Sequence, residues 1–215
     1  MLIDLFNIYK KGLFFGSNGE KIDRSIFLIN YYLKYHIEDA LRNLKGINDI
    51  KCYNYELYGD INKKQNKISY YHHLVVSLLM NLALINSGNE KLHGKIGGSL
   101  FEIEFSNKAR NTIAHIFDKI DVYSKLDIKL NGFNVIFDKD DFKLYSIKKP
   151  IGTLDLINNK ILIHGNNHVK RKPLETKNIE DASVDLIKLK SDLDSANASI
   201  KEFDEFISNF FIKND

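Results

Sequence analysis

The sequence predicts a mainly α protein: a helical bundle with a small antiparallel β insertion and a long C-terminal heptad helix. Three observations carry this. Apolar residues recur at spacings of three and four in two stretches of the N-terminal half. A seven-residue repeat runs through the C-terminal part, and between these regions the period drops to two around an Asn-Gly dipeptide.

In chain order, residues 1–22 read as a loop or short lead-in, with Gly12, Gly16 and Gly19. From Asp23, the positions Ile26, Ile29, Leu33, Ile37, Ala40, Leu41 and Leu44 share one helical face, and Gly46 is placed to end that helix. Residues 46–67 are polar and read as a loop. Ser69 is a candidate cap for a second helix running to about Asn86, with Gly88 beyond its end. Its centre, Leu74 to Leu84, is apolar nearly all round, as in a helix buried on most sides. After Gly94, Gly97 and Gly98, a third helical stretch is expected from about Ser99 to Tyr123.

Leu126–Leu130 and Phe133–Phe137 then read as two short strands joined at Asn131-Gly132, the dipeptide that suits a type I′ hairpin. Residues 142–147 and 153–164 are further strand-like pieces, the latter folded about Asn158-Asn159. In the last stretch Ile179, Leu186, Leu193, Ile200 and Ile207 recur every seven residues, with Ala182, Leu189, Ala196, Phe203 and Phe210 between them. Such a seam demands a long helix that lies either along the bundle or against a partner subunit. The division is therefore 1–125 for the bundle, 126–173 for the β insertion and 174–215 for the C-terminal helix.

Composition narrows the class. With 44% hydrophobic and 27% charged residues, the chain can bury a core. Its single cysteine, Cys52, rules out an intramolecular disulfide and a cysteine-based zinc cluster. The N-terminus lacks the basic region of a signal peptide, and no apolar run is long enough to span a bilayer, so a cytoplasmic protein without membrane contact is expected. Net charge is +3, but residues 174–215 contribute −5 and the preceding part +8. A basic body with an acidic tail is compatible with a polyanionic substrate.

The residues that carry chemistry are Lys108-Ala109-Arg110-Asn111-Thr112-Ile113-Ala114-His115. On a helix Asn111 and His115 share a face, whereas Arg110 and His115 diverge by about 140°. One such helix makes a poor two-residue site; two copies facing each other across a symmetric interface make a better one. The set suits RNA cleavage. A histidine can exchange a proton with a ribose 2′-OH or a leaving 5′-oxygen, and an arginine offers forked donors to the phosphate. Because the 2′-OH is itself the nucleophile, no carboxylate cluster is required.

The string Arg110-Asn111-Thr112-Ile113-Ala114-His115 resembles the Arg-x4–6-His motif of HEPN domains, including the polar residue after the arginine. That family comprises small α-helical bundles of toxin–antitoxin, abortive-infection and RNA-targeting CRISPR systems, and the 1–125 bundle is HEPN-like in this sense. The resemblance implies a homodimeric, metal-independent endoribonuclease that leaves a 2′,3′-cyclic phosphate and needs no cofactor. An antitoxin or other regulatory partner is also implied. Arg110 and His115 would be catalytic, and Asn111 would orient the histidine or the phosphate. In one toxin branch a tyrosine lies two residues after the histidine. Here that position is Phe117, so regulation through such a tyrosine is not expected. The β insertion and the heptad helix lie outside the family pattern.

Lys108 and the basic run Lys170-Arg171-Lys172 are candidate RNA-phosphate contacts, against the plainer reading of solvated surface. His72-His73 read as packing or capping residues, since adjacent histidines on a helix point about 100° apart. His164 and His168 have no identifiable co-ligands, and Asp138, Asp140 and Asp141 lack the spacing of a calcium loop. The alternatives to a nuclease are a non-catalytic module of the same fold that binds RNA or a partner protein, and a structural coiled-coil assembly protein.

Overall fold

A computed structural model describes residues 2–11, 23–52, 61–103, 129–136, 150–163 and 182–211. Among them are four helices and four strands: α1 (Leu2–Lys10), α2 (Arg24–Cys52), α3 (Ile61–Ile96), β1 (Lys129–Ile136), β2 (Pro150–Asp155), β3 (Lys160–Ile163), β4 (Ala182–Asp185) and α4 (Leu186–Phe211). The protein is mainly helical with a small sheet, as the sequence predicts. Contacts divide it into two compact units. The first comprises Met1–Leu41, Asn81–Glu104 and Lys190–Asp215, the second Arg42–Met80 and Phe105–Leu189.

The first unit is built from helices. Along α2 the buried positions are Ile26, Asn30, Leu33, Ile37 and Ala40, separated by three or four residues, which is the stripe a core-facing helix requires. Asp23 starts this helix: its Oδ1 accepts from Ser25 N at 2.9 Å, satisfying one of the first-turn donors. On α4, Leu193, Ala196, Ile200, Phe203 and Ile207 are buried, so the heptad seam is covered within one chain. Phe203 meets Phe6 of α1 edge-on with centroids 5.2 Å apart, and Phe206 packs against Phe6 and Tyr9. Asp204, beside that cluster, accepts from buried Asn30 (3.0 Å) and from Lys34 (3.3 Å), fixing α4 against α2.

Two glycines correct the expected helix ends. Gly46 lies inside α2 and Gly88 inside α3, because each marks a close approach rather than a terminus. A Cβ at Gly88 would come within 2.8 Å of the buried Leu33 side chain, and one at Gly46 within 3.2 Å of Leu74. Ser69 likewise lies within continuous helix rather than at its start. The true end of α3 is Gly97, whose φ of 80° and N–H bond to His93 O (2.9 Å) form a left-handed C-terminal cap. Residues 2–10, expected as lead-in, are helical, and Ser99–Ile103, expected to begin a helix, are not.

The second unit holds the sheet, in the order β1-β2-β3-β4. β2, β3 and β4 form a small antiparallel sheet, as the sequence predicts, and β1 is added to its edge parallel to β2. The hairpin expected at Asn131-Gly132 is absent. Both residues lie inside β1, where the register slips between Lys129 and Phe133. A glycine within a strand commonly marks such an irregularity, and the two functions share one dipeptide signature. The turn at Asn158-Asn159 does form. Asp155 Oδ1 accepts from Ile157 N and Asn158 N at 3.0 and 2.9 Å, and Asn159 takes φ 52°.

Leu154, Leu156, Ile161, Ile163 and Val184 are buried in this unit, as are Leu44, Ile47, Tyr71, Leu74, Val75, Leu78 and Leu79 on its helices. The C-terminal helix starts later than its heptads suggest. Ala182–Asp185 is strand β4, and Asp185 then caps α4 by accepting from Ile187 N (2.9 Å) and Lys188 N (3.0 Å). No helix among the described residues is long and apolar enough to cross a membrane.

Candidate functional site

Lys108, Arg110, Asn111 and His115 lie outside the described residues, as do Phe117, the Asp138–Asp141 cluster, His164, His168, Lys170, Arg171 and Lys172. The expected helices beyond Ile103 and the strand at 142–147 lie outside them too. What the structure does describe is the approach to the motif. After the Gly97 cap the chain is pinned at Phe101, whose carbonyl oxygen accepts from Ser99 Oγ (2.7 Å) and Asn89 Nδ2 (3.2 Å) while its ring is buried. That anchor stands seven residues before Lys108.

Charge separates the two units. The first carries ten Lys and Arg against fourteen Asp and Glu, the second twenty-one against fourteen. Net charges are thus −4 and +7, which together give the +3 of the whole chain. The stretch 105–189, with both the Arg110–His115 string and the 170–172 basic run, belongs to the basic unit. A net charge of +7 makes that unit, rather than the other, compatible with a polyanion.

Among the described residues the most developed polar cluster is in the first unit. Asn81 is buried on α3, its Nδ2 donating to Asp39 Oδ2 at 2.6 Å. A carboxylate oxygen can only accept, so the amide orientation is fixed and Asn81 Oδ1 faces His36. His36 Nδ1 lies 2.7 Å from that oxygen and must be the donor. The neutral imidazole therefore carries its proton on Nδ1 and leaves Nε2 as an acceptor. Two tyrosine rings flank it, Tyr32 at 4.2 Å and Tyr35 at 5.1 Å between centroids, both meeting it edge-on. The sequence hid this cluster because Asn81 is 45 residues from His36 and only the folded helices bring them together.

His72 is half-buried on α3, and desolvation, with the neighbouring His73 charge, holds its pKa below the ordinary value of 6.5. Asp23 is also shifted, well below the usual carboxylate range, by its bond to Lys95 and the Ser25 N–H. Among the described residues no three His, Cys, Asp or Glu side chains converge as a metal site.

No family model matches the chain. It is similar to an uncharacterized protein of Buchnera aphidicola subsp. Schizaphis graminum (strain Sg), 27% identical over 162 residues. That match covers 73% of this chain but 16% of the relative, so the chain spans about a sixth of the length of the protein it matches. No solved structure matches.

Proposed function

We propose that this protein is a cytoplasmic, metal-independent endoribonuclease of the HEPN type, acting as a homodimer in a toxin or anti-phage defence setting. The observation that carries the reading is the string Arg110-Asn111-Thr112-Ile113-Ala114-His115. The mainly helical architecture and the +7 charge of the unit containing that string agree with an RNA substrate.

In this reading the ribose 2′-OH attacks the adjacent phosphorus and the P–O5′ bond breaks, giving a 2′,3′-cyclic phosphate and a free 5′-OH. His115 moves the proton between these oxygens. Arg110 binds the non-bridging oxygens as charge accumulates, and Asn111 positions one of the two. Lys108, Lys170, Arg171 and Lys172 hold flanking phosphates. An antitoxin or other regulator would act by covering or separating the paired sites.

The test is cleavage of labelled single-stranded RNA in EDTA by wild type, Arg110→Ala and His115→Ala proteins. Wild type should cut, and each variant should lose activity by a factor of about 10² or more while keeping its circular dichroism and melting temperature. Equal cleavage by wild type and His115→Ala would overturn the assignment. If neither cuts any RNA tried, tRNA included, but wild type binds RNA, the non-catalytic module of the same fold replaces it.

A further inference from the structure

The Asn131-Gly132 dipeptide stands where the sheet is least regular. β1 pairs with β2 at Lys129 and Pro150, and the pairing resumes at Phe133 and Gly152. Leu130, Asn131 and Gly132 therefore stand against the single residue Ile151, and β1 carries two residues in excess. Among the described residues none of the three has a register partner on β2. β1 is also an edge of the sheet, whose order is β1-β2-β3-β4, so no described strand lies along its other side. A strand paired along its length is held extended by its ladder; an excess segment at an edge is not held in that way.

This freedom has a chemical consequence. The backbone nitrogen that follows an asparagine lies within ring-closing reach of the side-chain carbonyl carbon, the product being a five-membered imide. Two features ordinarily prevent closure. One is a side chain on the following residue that crowds the attacking nitrogen; the other is a regular ladder that fixes φ and ψ. Gly132 removes the first, having no Cβ. The slip in register removes the second. Asn86-Ser87 supplies the contrast within the same chain. Its second residue is also small, but the pair sits inside α3, where the helical ladder fixes both dihedrals.

We infer that Asn131 is a site of spontaneous covalent modification, its amide converting through a succinimide to aspartate and isoaspartate. The Gly132 nitrogen bonds to the side-chain carbonyl carbon of Asn131. The bond from that carbon to the amide nitrogen breaks, and ammonia leaves with the proton from the Gly132 N–H. Water then opens the ring at either carbonyl. Opening at the side-chain carbonyl leaves aspartate with the original main chain. Opening at the main-chain carbonyl leaves isoaspartate, in which the chain runs through the β-carbon. Ammonia is lost and water gained, with no oxidant or reductant. Either product adds one negative charge, taking the second unit from +7 to +6. Isoaspartate also lengthens the main chain by one atom, within the segment that already bulges and clear of the β2–β3–β4 register. The inference is independent of the ribonuclease reading.

The test is peptide mapping by mass spectrometry on the full chain, kept folded or in urea at the same mildly alkaline pH and sampled over the same days. The folded protein should lose the Asn131 amide at a rate within a factor of about 10 of that in urea, as a segment that opens at little cost requires. Asn86 should be slower in the folded protein than in urea by a factor of about 10³ or more, as for a residue freed only by global unfolding. Protection of Asn131 as strong as that of Asn86 overturns the inference. The products at Asn131 should include isoaspartate, since only the ring gives both acids; aspartate alone overturns the succinimide route. Gly132→Ala should lose most of the conversion in urea, where folding plays no part. Conversion at the full rate in that variant would mean direct attack by water and would equally overturn the route.

Discussion

Helices α2 and α4 each present an apolar stripe, and the two stripes have opposite fates. On α4 every described heptad position from Leu186 to Ile207 is buried, and the seam is used up within the chain. On α2 one stripe is equally buried while a second, richer in aromatic residues, faces solvent. A regular repeat is thus the mark of internal packing here, whereas the irregular tyrosine cluster stays exposed. Hydrophobicity alone does not separate them; what separates them is whether the opposite wall is supplied by the same chain.

The sharpest way to break that contrast is to truncate one aromatic of each kind. Phe203→Ala, within the Phe6–Phe203–Phe206 cluster, should cost about 3–5 kcal/mol in chemical denaturation. Tyr31→Ala, measured at a concentration where the protein is monomeric, should stay within about 0.5 kcal/mol of wild type. A large effect at Tyr31 in the monomer would mean that its face is internal after all.

Next in size is the polar link between α2 and α3. Asn81→Ala removes the donor to Asp39 and the acceptor for His36 together, and should cost about 1–3 kcal/mol because its half-buried partners lose their bonds. A neutral result would show that water replaces the amide without loss. Smaller still is a pair within one helix. Gly88→Ala should destabilise by about 1 kcal/mol, overcrowding at Leu33 outweighing the gain in helix propensity. Gly94→Ala, where nothing stands within 4 Å of the added carbon, should stabilise by about 0.5–1 kcal/mol.

The least of these effects is a pH slope. Burial lowers the pKa of His72 in the folded protein. As pH falls through the ordinary histidine range near 6.5, the unfolded chain takes up a proton that the folded chain resists, and stability drops. Above that range both states are neutral and no slope arises from this group. His72→Gln should flatten the corresponding part of a melting-temperature profile between pH 7.5 and 5.

Much of the helical framework was legible because spacing of three and four is a direct consequence of helical geometry. Ile26, Leu33, Ile37, Ala40 and Leu44 are buried where that spacing puts them. The misreadings share one cause, that a residue can serve two structural purposes with the same letter. Gly46 and Gly88 admit a neighbouring side chain instead of ending a helix, and Asn131-Gly132 breaks a strand's register instead of reversing the chain. Ala182 fits a heptad but belongs to β4, because β3 offers a pairing partner that no local pattern reveals. The Arg110–His115 string is contiguous and could be read directly, whereas His36, Asp39 and Asn81 meet only through the packing of α2 on α3.

The ribonuclease reading meets its most direct test in the chemistry of the cut. Labelled single-stranded RNA and the same sequence with 2′-deoxyribose at every position would be incubated with wild type in EDTA, and the product ends identified by mass. Attack by the 2′-OH requires that only the ribose strand is cut and that its fragments end in 2′,3′-cyclic phosphate and 5′-OH. Cleavage of the deoxy strand, or fragments with 5′-phosphate and 3′-OH, would contradict it.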